Sequence, residues 1–547
     1  MSAAIYFHPE AYTTGGPKLM GRNAAGESFL RGYFAHSKAQ AFWAQVQKPE
    51  HAKAFMDAVQ TAGRREPVKA VDANGLASLS QAGVVYHPGP GIGDHAWQRA
   101  AYGHGAWSLC GITHTTASAL AMDAIAELLT APVQPWDAVI CTSIAVKDNV
   151  TGLLQAQAGY LVQRLGVQKL VLPQLPVIPL GIHVQDFAYT GAQKGAARAA
   201  VGAGGDALVV LFTGRLSFHA KAHPLAMYQA LERAAQGCEV LLVECGWHAN
   251  EHIANAFADA ARTACPSVRV VTLDGRKPQD RQTAWASADV FCSLSDNIQE
   301  TFGIVPIEAM AAGIPVVVSD WDGYKDTVRD GVDGFRIHTL MPGAGLGADL
   351  ALRHALEIDS YDMYCGHACS LAAVDVDATV QAFAKLFASP ELRRMMGEAG
   401  RQRARQVYDW AVIIPQYEAL WAQLGEIRAA EAGKQKPLAH PWPARMDPFA
   451  AFGGYPTASL TPQTVLELAD ADAQTAARRV ADYRALAMVK FAKAVLPTDA
   501  EVQAVLAAAA AGARAAAELV SAIPPERRAF VFRALVWLAK LGVLKVR

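Results

Sequence analysis

The chain is predicted to be an α/β protein, with two doubly wound, Rossmann-like domains facing across a cleft and a mainly helical appendage after them. Three observations carry this reading. Short apolar runs alternate with helical stretches, a pattern that calls for parallel strands joined by crossover helices. Breakers at Val177-Ile178-Pro179-Leu180-Gly181-Ile182-His183 interrupt the alternation, which then starts again. The run Lys434-Gln435-Lys436-Pro437 through Ala439-His440-Pro441-Trp442-Pro443 cannot continue a helix, and an Ala-rich segment follows it.

The first domain is expected over residues 1–183. Residues 4–8 read as its first strand, followed by the turn Thr13-Thr14-Gly15-Gly16-Pro17 and a helix at about 24–34. Residues 84–87, 108–113 and 138–142 read as further buried strands. The second domain is expected over 184–407, with strands at 207–212, 239–243, 269–273, 290–294 and 315–319 and a helix at 223–235. A helix at about 408–428 is expected to return to the first domain. Residues 430–458 read as a linker. The appendage, 459–547, reads as helices at 501–511, 515–522 and 527–541 with a strand at the end, a winged-helix-like order.

Bulk properties narrow the function. With 547 residues, 52% apolar and 18% charged, the chain can bury several cores and is not a disordered one. A formal net charge of −1 gives no global field for nucleic acid or anionic lipid, so any anion site must be local. The eight cysteines are scattered and read as reduced, buried thiols. The first residues lack a basic region followed by an apolar one, and no uncharged run reaches spanning length. The expectation is a soluble cytoplasmic protein without a transmembrane segment.

Ligands of open parallel sheets bind beyond the carboxyl ends of the strands. Two such loops in the second domain carry charge. One reads Thr213-Gly214-Arg215-Leu216-Ser217-Phe218-His219-Ala220-Lys221. Gly214 allows close backbone approach, and Arg215 and Lys221 offer a planar fork and a mobile point charge to a diphosphate. Two solvated surface cations are the plain alternative. The other loop is Ser295-Asp296-Asn297-Ile298-Gln299-Glu300-Thr301-Phe302-Gly303, leading into a helix that starts near 304–306. A helix start favours an anion. Glu300 precedes it and Glu308 lies within it, so the two flank one bound molecule; simple capping is the alternative.

Taken together, these residues resemble the retaining GT-B-fold nucleotide-sugar glycosyltransferases of family four. The resemblance spans roughly residues 1–425 and is strongest over 207–336. Its glutamate-seven residues-glutamate signature matches Glu300 and Glu308. Its Gly-Arg-Leu loop and later lysine match Gly214-Arg215-Leu216 and Lys221. Pro179-Leu180-Gly181-Ile182, Ser319-Asp320 through Asp333-Gly334-Phe335, and Tyr408-Asp409-Trp410 follow in the family's order.

The resemblance implies that Glu308 binds ribose hydroxyls and Glu300 the hydroxyls of the transferred sugar. The amides of Thr301, Phe302 and Gly303 would hold sugar and phosphate. Arg215 and Lys221 would neutralise the leaving diphosphate in place of a metal, so no cofactor and no metal is expected. Gly15 and Gly16 would approach the donor phosphates, with Lys18 and Arg22 nearby. His114 would stand near the reacting sugar, and Ser143 matches a serine at a strand end. Two departures from the pattern are visible. Arg215 and Lys221 are six apart, one more than the commonest spacing, and Thr301 stands where a glycine is frequent.

Other features point elsewhere. Cys365-Gly366-His367-Ala368-Cys369 with His354 fits no standard zinc spacing. Gly89-Pro90-Gly91-Ile92-Gly93 lacks a dinucleotide fingerprint and reads as a loop over the cleft. Arg527, Arg528, Arg533, Lys540, Lys545 and Arg547 make the chain's end basic, which admits DNA binding. Phe530, Phe532, Leu535, Trp537, Leu538 and Leu541 favour a protein-interaction or homodimerisation role instead. The function expected is a retaining, metal-independent hexosyltransferase using a nucleoside diphosphate sugar and an unidentified acceptor. Competing readings are a sugar-phosphate synthase of the same fold, a nucleotide-sugar epimerase, and a sugar-nucleotide sensor with a C-terminal output module.

Overall fold

The structure, a computed structural model, describes residues 2–13, 21–434, 438 and 441–547. It divides into two compact units, Met1–Trp442 and Pro443–Arg547.

The larger unit holds two parallel six-stranded sheets. The first contains β1 (Ala4–Phe7), β2 (Phe42–Val46), β3 (Val68–Val71), β4 (Val84–Tyr86), β5 (Ser108–Ile112) and β6 (Ala138–Ile140), in the order β3-β2-β1-β4-β5-β6. Ala4 pairs with Trp43 on one side and Val85 on the other. The second contains β7 (Leu208–Leu216), β8 (Val240–His248), β9 (Arg269–Asp274), β10 (Val290–Ser293), β11 (Val316–Ser319) and β12 (Gly334–Ile337), in the order β12-β11-β10-β7-β8-β9. In each sheet the order reverses beside the first strand, which leaves a crevice at the carboxyl ends. The predicted α/β architecture of two doubly wound domains and a mainly helical appendage is the one observed.

The sequence reading missed β2 and β3. All five residues of β2 are buried, including Gln45, so it shows no alternation, while β3 is an edge strand with Lys69 and Ala70 exposed. The expected helix at 24–34 is longer, Gly21–His36. A short helix, Gly93–Ala100, starts directly at the end of the 89–93 loop, where no helix was expected.

The two sheets are tied together by the returning chain. A π-helical turn over Ala404–Tyr408 leads to Asp409, whose carboxylate caps the helix Trp410–Glu431 by accepting from Ala411 N–H at 2.8 Å. That helix packs on Gly21–His36 and on β4 and β5. Its buried Trp410, Tyr417 and Trp421 belong to a core that also includes β1, β7 and β10 residues. Burying each such ring stabilises the fold by roughly 1.5–3 kcal/mol. Trp410 fits because Gly32 and Gly181 leave room: a Cβ at Gly181 would meet its ring at 2.5 Å. Its indole N–H donates to Ser28 Oγ at 2.8 Å.

In the smaller unit, β15 (Val465–Leu468) pairs antiparallel with the short β16 (Arg514–Ala515) and β17 (Leu544–Val546), after β13 (Thr339–Leu340) and β14 (Ala373–Val374) form a two-stranded pair in the larger unit. Helices Ala473–Ala485, Asp499–Ala509, Ala516–Leu519 and Pro525–Lys540 pack around one core that includes Leu466, Val505, Leu535 and Leu538. Three of those helices and the last strand lie close to their expected places; β15, β16 and Ala473–Ala485 were not read from the sequence.

The basic side chains at the end of the chain are largely occupied within this unit. Arg527 pairs with Glu501 at 2.7 Å and Lys545 with Glu467 at 3.2 Å. Arg527 and Arg533 lie over the Phe530 ring.

Candidate functional site

The carboxyl ends of β7 and β10 bring the two charged loops together. β7 runs on through Leu216, with Arg215 opposite Trp247 of β8, so Gly214-Arg215-Leu216 is strand and the connecting loop starts only at Ser217. This corrects the expectation that the loop follows Phe212: the ladder to β8 continues past the glycine. Gly214 has φ of 145°, a value that excludes side chains, and Lys221 folds over it with Cε 3.5 Å from where a Cβ would lie.

Lys221 forms an ion pair with Glu300 in which both side chains are mostly buried. Arg215 donates to the Ala220 carbonyl at 2.7 Å and reaches Gln299 Oε1 at 3.5 Å. Glu300 also accepts from Thr301 N–H at 3.3 Å. Burial works against its charge, but Lys221 and the amides of Thr301 and Phe302 outweigh it and hold the carboxyl below its ordinary range.

The helix Ile304–Ala312 opens at Gly303, whose φ is 82° and whose missing Cβ leaves room for the Tyr324 ring. Its first turn presents free amides and a positive dipole end toward the same crevice. Glu308, one turn in, is half-buried, and among the described residues no hydrogen-bond donor occupies its carboxylate. Burial pushes it up to about 7 against the pull of Arg281 and Lys221. Deeper still, Asp296 accepts from His223 N–H at 3.2 Å and the Cys369 thiol at 3.1 Å, and burial pushes it up to about 6.

The first sheet meets this loop directly. Ser143, which caps the helix Ile144–Leu165, donates its hydroxyl to the Thr301 carbonyl at 2.8 Å. Thr301 Oγ1 donates in return to the His114 carbonyl at 2.7 Å. Ile144 N–H donates to Asp326 at 2.7 Å. The structure thus gathers Gly214, Arg215, Lys221, Glu300, Thr301, Phe302, Gly303, Glu308, His114 and Ser143 around one crevice. Gly15, Gly16 and Lys18 lie outside the described residues, and Arg22 falls in the first turn of Gly21–His36.

Residues not singled out from the sequence also enter. Arg281 acts on Glu308, Tyr361 donates to Gln299 at 3.4 Å, and Asp322 stands beside Ser143 at 3.4 Å. Arg281 and Tyr361 sit in no motif and reach the site by packing from other elements, while Asp322 lies within the Ser319–Phe335 stretch without having been singled out.

The Cys365–Cys369 stretch lies on the helix Tyr361–Cys369 with its side chains directed to different partners. Cys369 turns to Asp296, and His367 to Asp359 at 3.0 Å. Among the described residues no three His, Cys, Asp or Glu side chains gather as metal ligands. All eight cysteines are free, and no helix among the described residues is long and apolar enough to cross a membrane.

Residues 207–344 match the family described as Glycosyl transferases group 1. A D-inositol 3-phosphate glycosyltransferase of Nocardia farcinica is 28% identical over 36% of this chain and 42% of its own length. A phosphatidyl-myo-inositol mannosyltransferase of Mycobacterium leprae is 34% identical over 25% of this chain and 27% of its own length. The chain therefore spans less than half the length of these curated relatives. A crystal structure of a glycosyltransferase from Rickettsia africae ESF-5 aligns with 77% of this chain and 98% of its own, at 11% identity and a TM-score of 0.50, which is a likeness of fold. The match to the glycosyl transferases group 1 model thus falls on the second sheet and its loops, within a chain whose two doubly wound sheets have the GT-B fold.

Proposed function

We propose that the protein is a retaining glycosyltransferase that moves a sugar from a nucleoside diphosphate sugar to an acceptor hydroxyl without using a metal. The observation that carries this reading is the Lys221–Glu300 pair, set beside Arg215 and the amino end of Ile304–Ala312. Arg215, Lys221 and the helix amides supply fixed positive charge where the leaving diphosphate gathers negative charge. Glu300 orients the hydroxyls of the departing sugar, and Glu308 takes the ribose hydroxyls. The acceptor enters beside His114 and attacks the face from which the diphosphate leaves. The departing phosphate oxygen takes the acceptor's proton, so no side chain need act as base.

A thermal-shift panel of nucleoside diphosphate sugars, followed by assay of slow donor hydrolysis, tests this reading. A subset should raise the melting temperature and release nucleoside diphosphate; no binding and no release across the panel would sink it. Glu308 adds a pH signature. Ribose hydroxyls donate to its ionised form, and that form is lost as pH falls through about 7. Nucleoside diphosphate affinity should therefore be flat above that point and weaken roughly tenfold per pH unit below it.

We further propose that the C-terminal unit joins two copies of the chain. Among the described residues five of its cations pair with its own carboxylates, as in Arg479–Asp470 and Arg484–Asp499, while Phe530, Phe532 and Trp537 of its last helix stay only partly buried, a surface suited to a second copy. Sedimentation of the full chain and of a chain ending at Trp442 should give a dimer and a monomer. A monomeric full chain would overturn this, and salt-sensitive binding of the full chain to duplex DNA would favour the nucleic-acid reading.

A further inference from the structure

Beyond the two glutamates, a further carboxylate, that of Asp322, stands at this crevice. Asp322 follows β11, in Ser319-Asp320-Trp321-Asp322-Gly323-Tyr324. It is one of two non-glycine residues with positive φ among the described residues, at 44°. Such a backbone costs of order 1–3 kcal/mol and persists only where its surroundings hold it.

The surroundings do hold it. Trp321 Nε1 donates to the Asn297 carbonyl at 3.1 Å, and Ser319 Oγ donates to the Ser295 carbonyl at 2.5 Å, so both anchors lie on the loop that carries Glu300. Gly323 lies so close to Phe302 that a Cβ there would meet its carbonyl oxygen at 2.5 Å. The Asp322 carboxylate is thereby pinned between the Thr301–Phe302 backbone and the Ser143 end of the first sheet.

Its two oxygens differ. Oδ1 accepts from Ser143 Oγ at 3.4 Å, whereas Oδ2 is buried with no hydrogen-bond partner. A buried acceptor left unpaired costs about 1–3 kcal/mol. Burial, and then the neighbouring Glu300 charge, push this carboxyl up to about 7. Neither the helix cap nor the ion pair already described makes use of it.

We propose that Asp322 is a specificity-determining residue of the donor site, whose Oδ2 accepts a hydrogen bond from a hydroxyl of the transferred sugar. This rests on the reading of the crevice as a nucleotide-sugar site. Glu300 and Asp322 then grip the sugar from two loops, while Arg215, Lys221 and Glu308 hold the nucleotide.

The test is isothermal titration of the full chain with UDP-glucose, UDP-N-acetylglucosamine and GDP-mannose, each compared with UDP or GDP alone. In Asp322→Asn and Asp322→Gly, affinity for the nucleoside diphosphate should stay within about twofold of wild type. The ratio of sugar-nucleotide to nucleoside diphosphate affinity should fall about tenfold, the worth of one hydrogen bond to a charged group. Asp322→Gly relieves the left-handed backbone, so it keeps the test standing if Asp322→Asn folds poorly. An unchanged ratio in the variants, or equal losses for both ligand types, overturns the assignment while leaving the donor site itself intact. A wild-type chain that binds none of the five compounds removes the donor-site reading, and this inference with it.

Discussion

Glu300→Gln should lower turnover by at least about 100-fold while changing nucleoside diphosphate affinity by less than about threefold. The native carboxylate takes a charge-assisted bond from Lys221 and another bond from Thr301 N–H. An amide can accept only at its oxygen, and it brings no negative charge to balance Lys221 or a sugar cation forming beside it. In the proposed reading the ribose and diphosphate contacts fall to Glu308, Arg215, Lys221 and the helix amides and not to Glu300, so binding of the nucleotide should survive. Single-turnover kinetics with titration of the nucleoside diphosphate separates the two effects. Turnover within tenfold of wild type would remove Glu300 from the chemistry.

Lys221→Ala should be comparably severe, at about 100- to 1,000-fold in kcat, because it removes positive charge from the leaving diphosphate. It has a second, diagnostic consequence. Burial alone would raise Glu300, and Lys221 is the foremost group holding it down. A carboxyl with a depressed pKa stays ionised above that low value; without Lys221 the pKa rises. The acidic limb of the pH–rate profile should therefore move to higher pH, and Lys221→Arg should move it back. An acidic limb that stays in place would mean that the ion pair does not set the state of Glu300.

How much of this was legible in the sequence depends on how local each feature is. Glu300, Thr301, Gly303 and Glu308 sit on one loop and helix, where chain spacing dictates spatial relation. His114 and Ser143 were singled out by the resemblance, and each does follow a buried strand of the parallel sheet, where strand ends align. Arg281, Tyr361 and Asp322 come from three different elements, and only the packed tertiary structure brings them to the crevice. Strand limits failed for a different reason. Gly214 looks like a breaker, yet the pairing of Gly214 with Gly246 carries the ladder past it. In the C-terminal unit β15 and β16 were hidden because they have four and two residues, too few for any periodicity.

The contacts between the two sheets at the crevice have an energetic corollary. Ser143 lends a hydroxyl to Thr301, Thr301 lends one to His114, and Ile144 N–H finds Asp326. Two of the three acceptors are main-chain carbonyls, and water can satisfy every group once they part. Each such bond nets about 0.5–1.5 kcal/mol, so these three alone contribute roughly 1.5–4.5 kcal/mol to closure, with longer contacts of Thr142 to the Thr301 carbonyl and of Ser143 to Asp322 beside them. A donor bound as proposed, bridging both loops, would add its own contacts to those that already hold the two sheets together there.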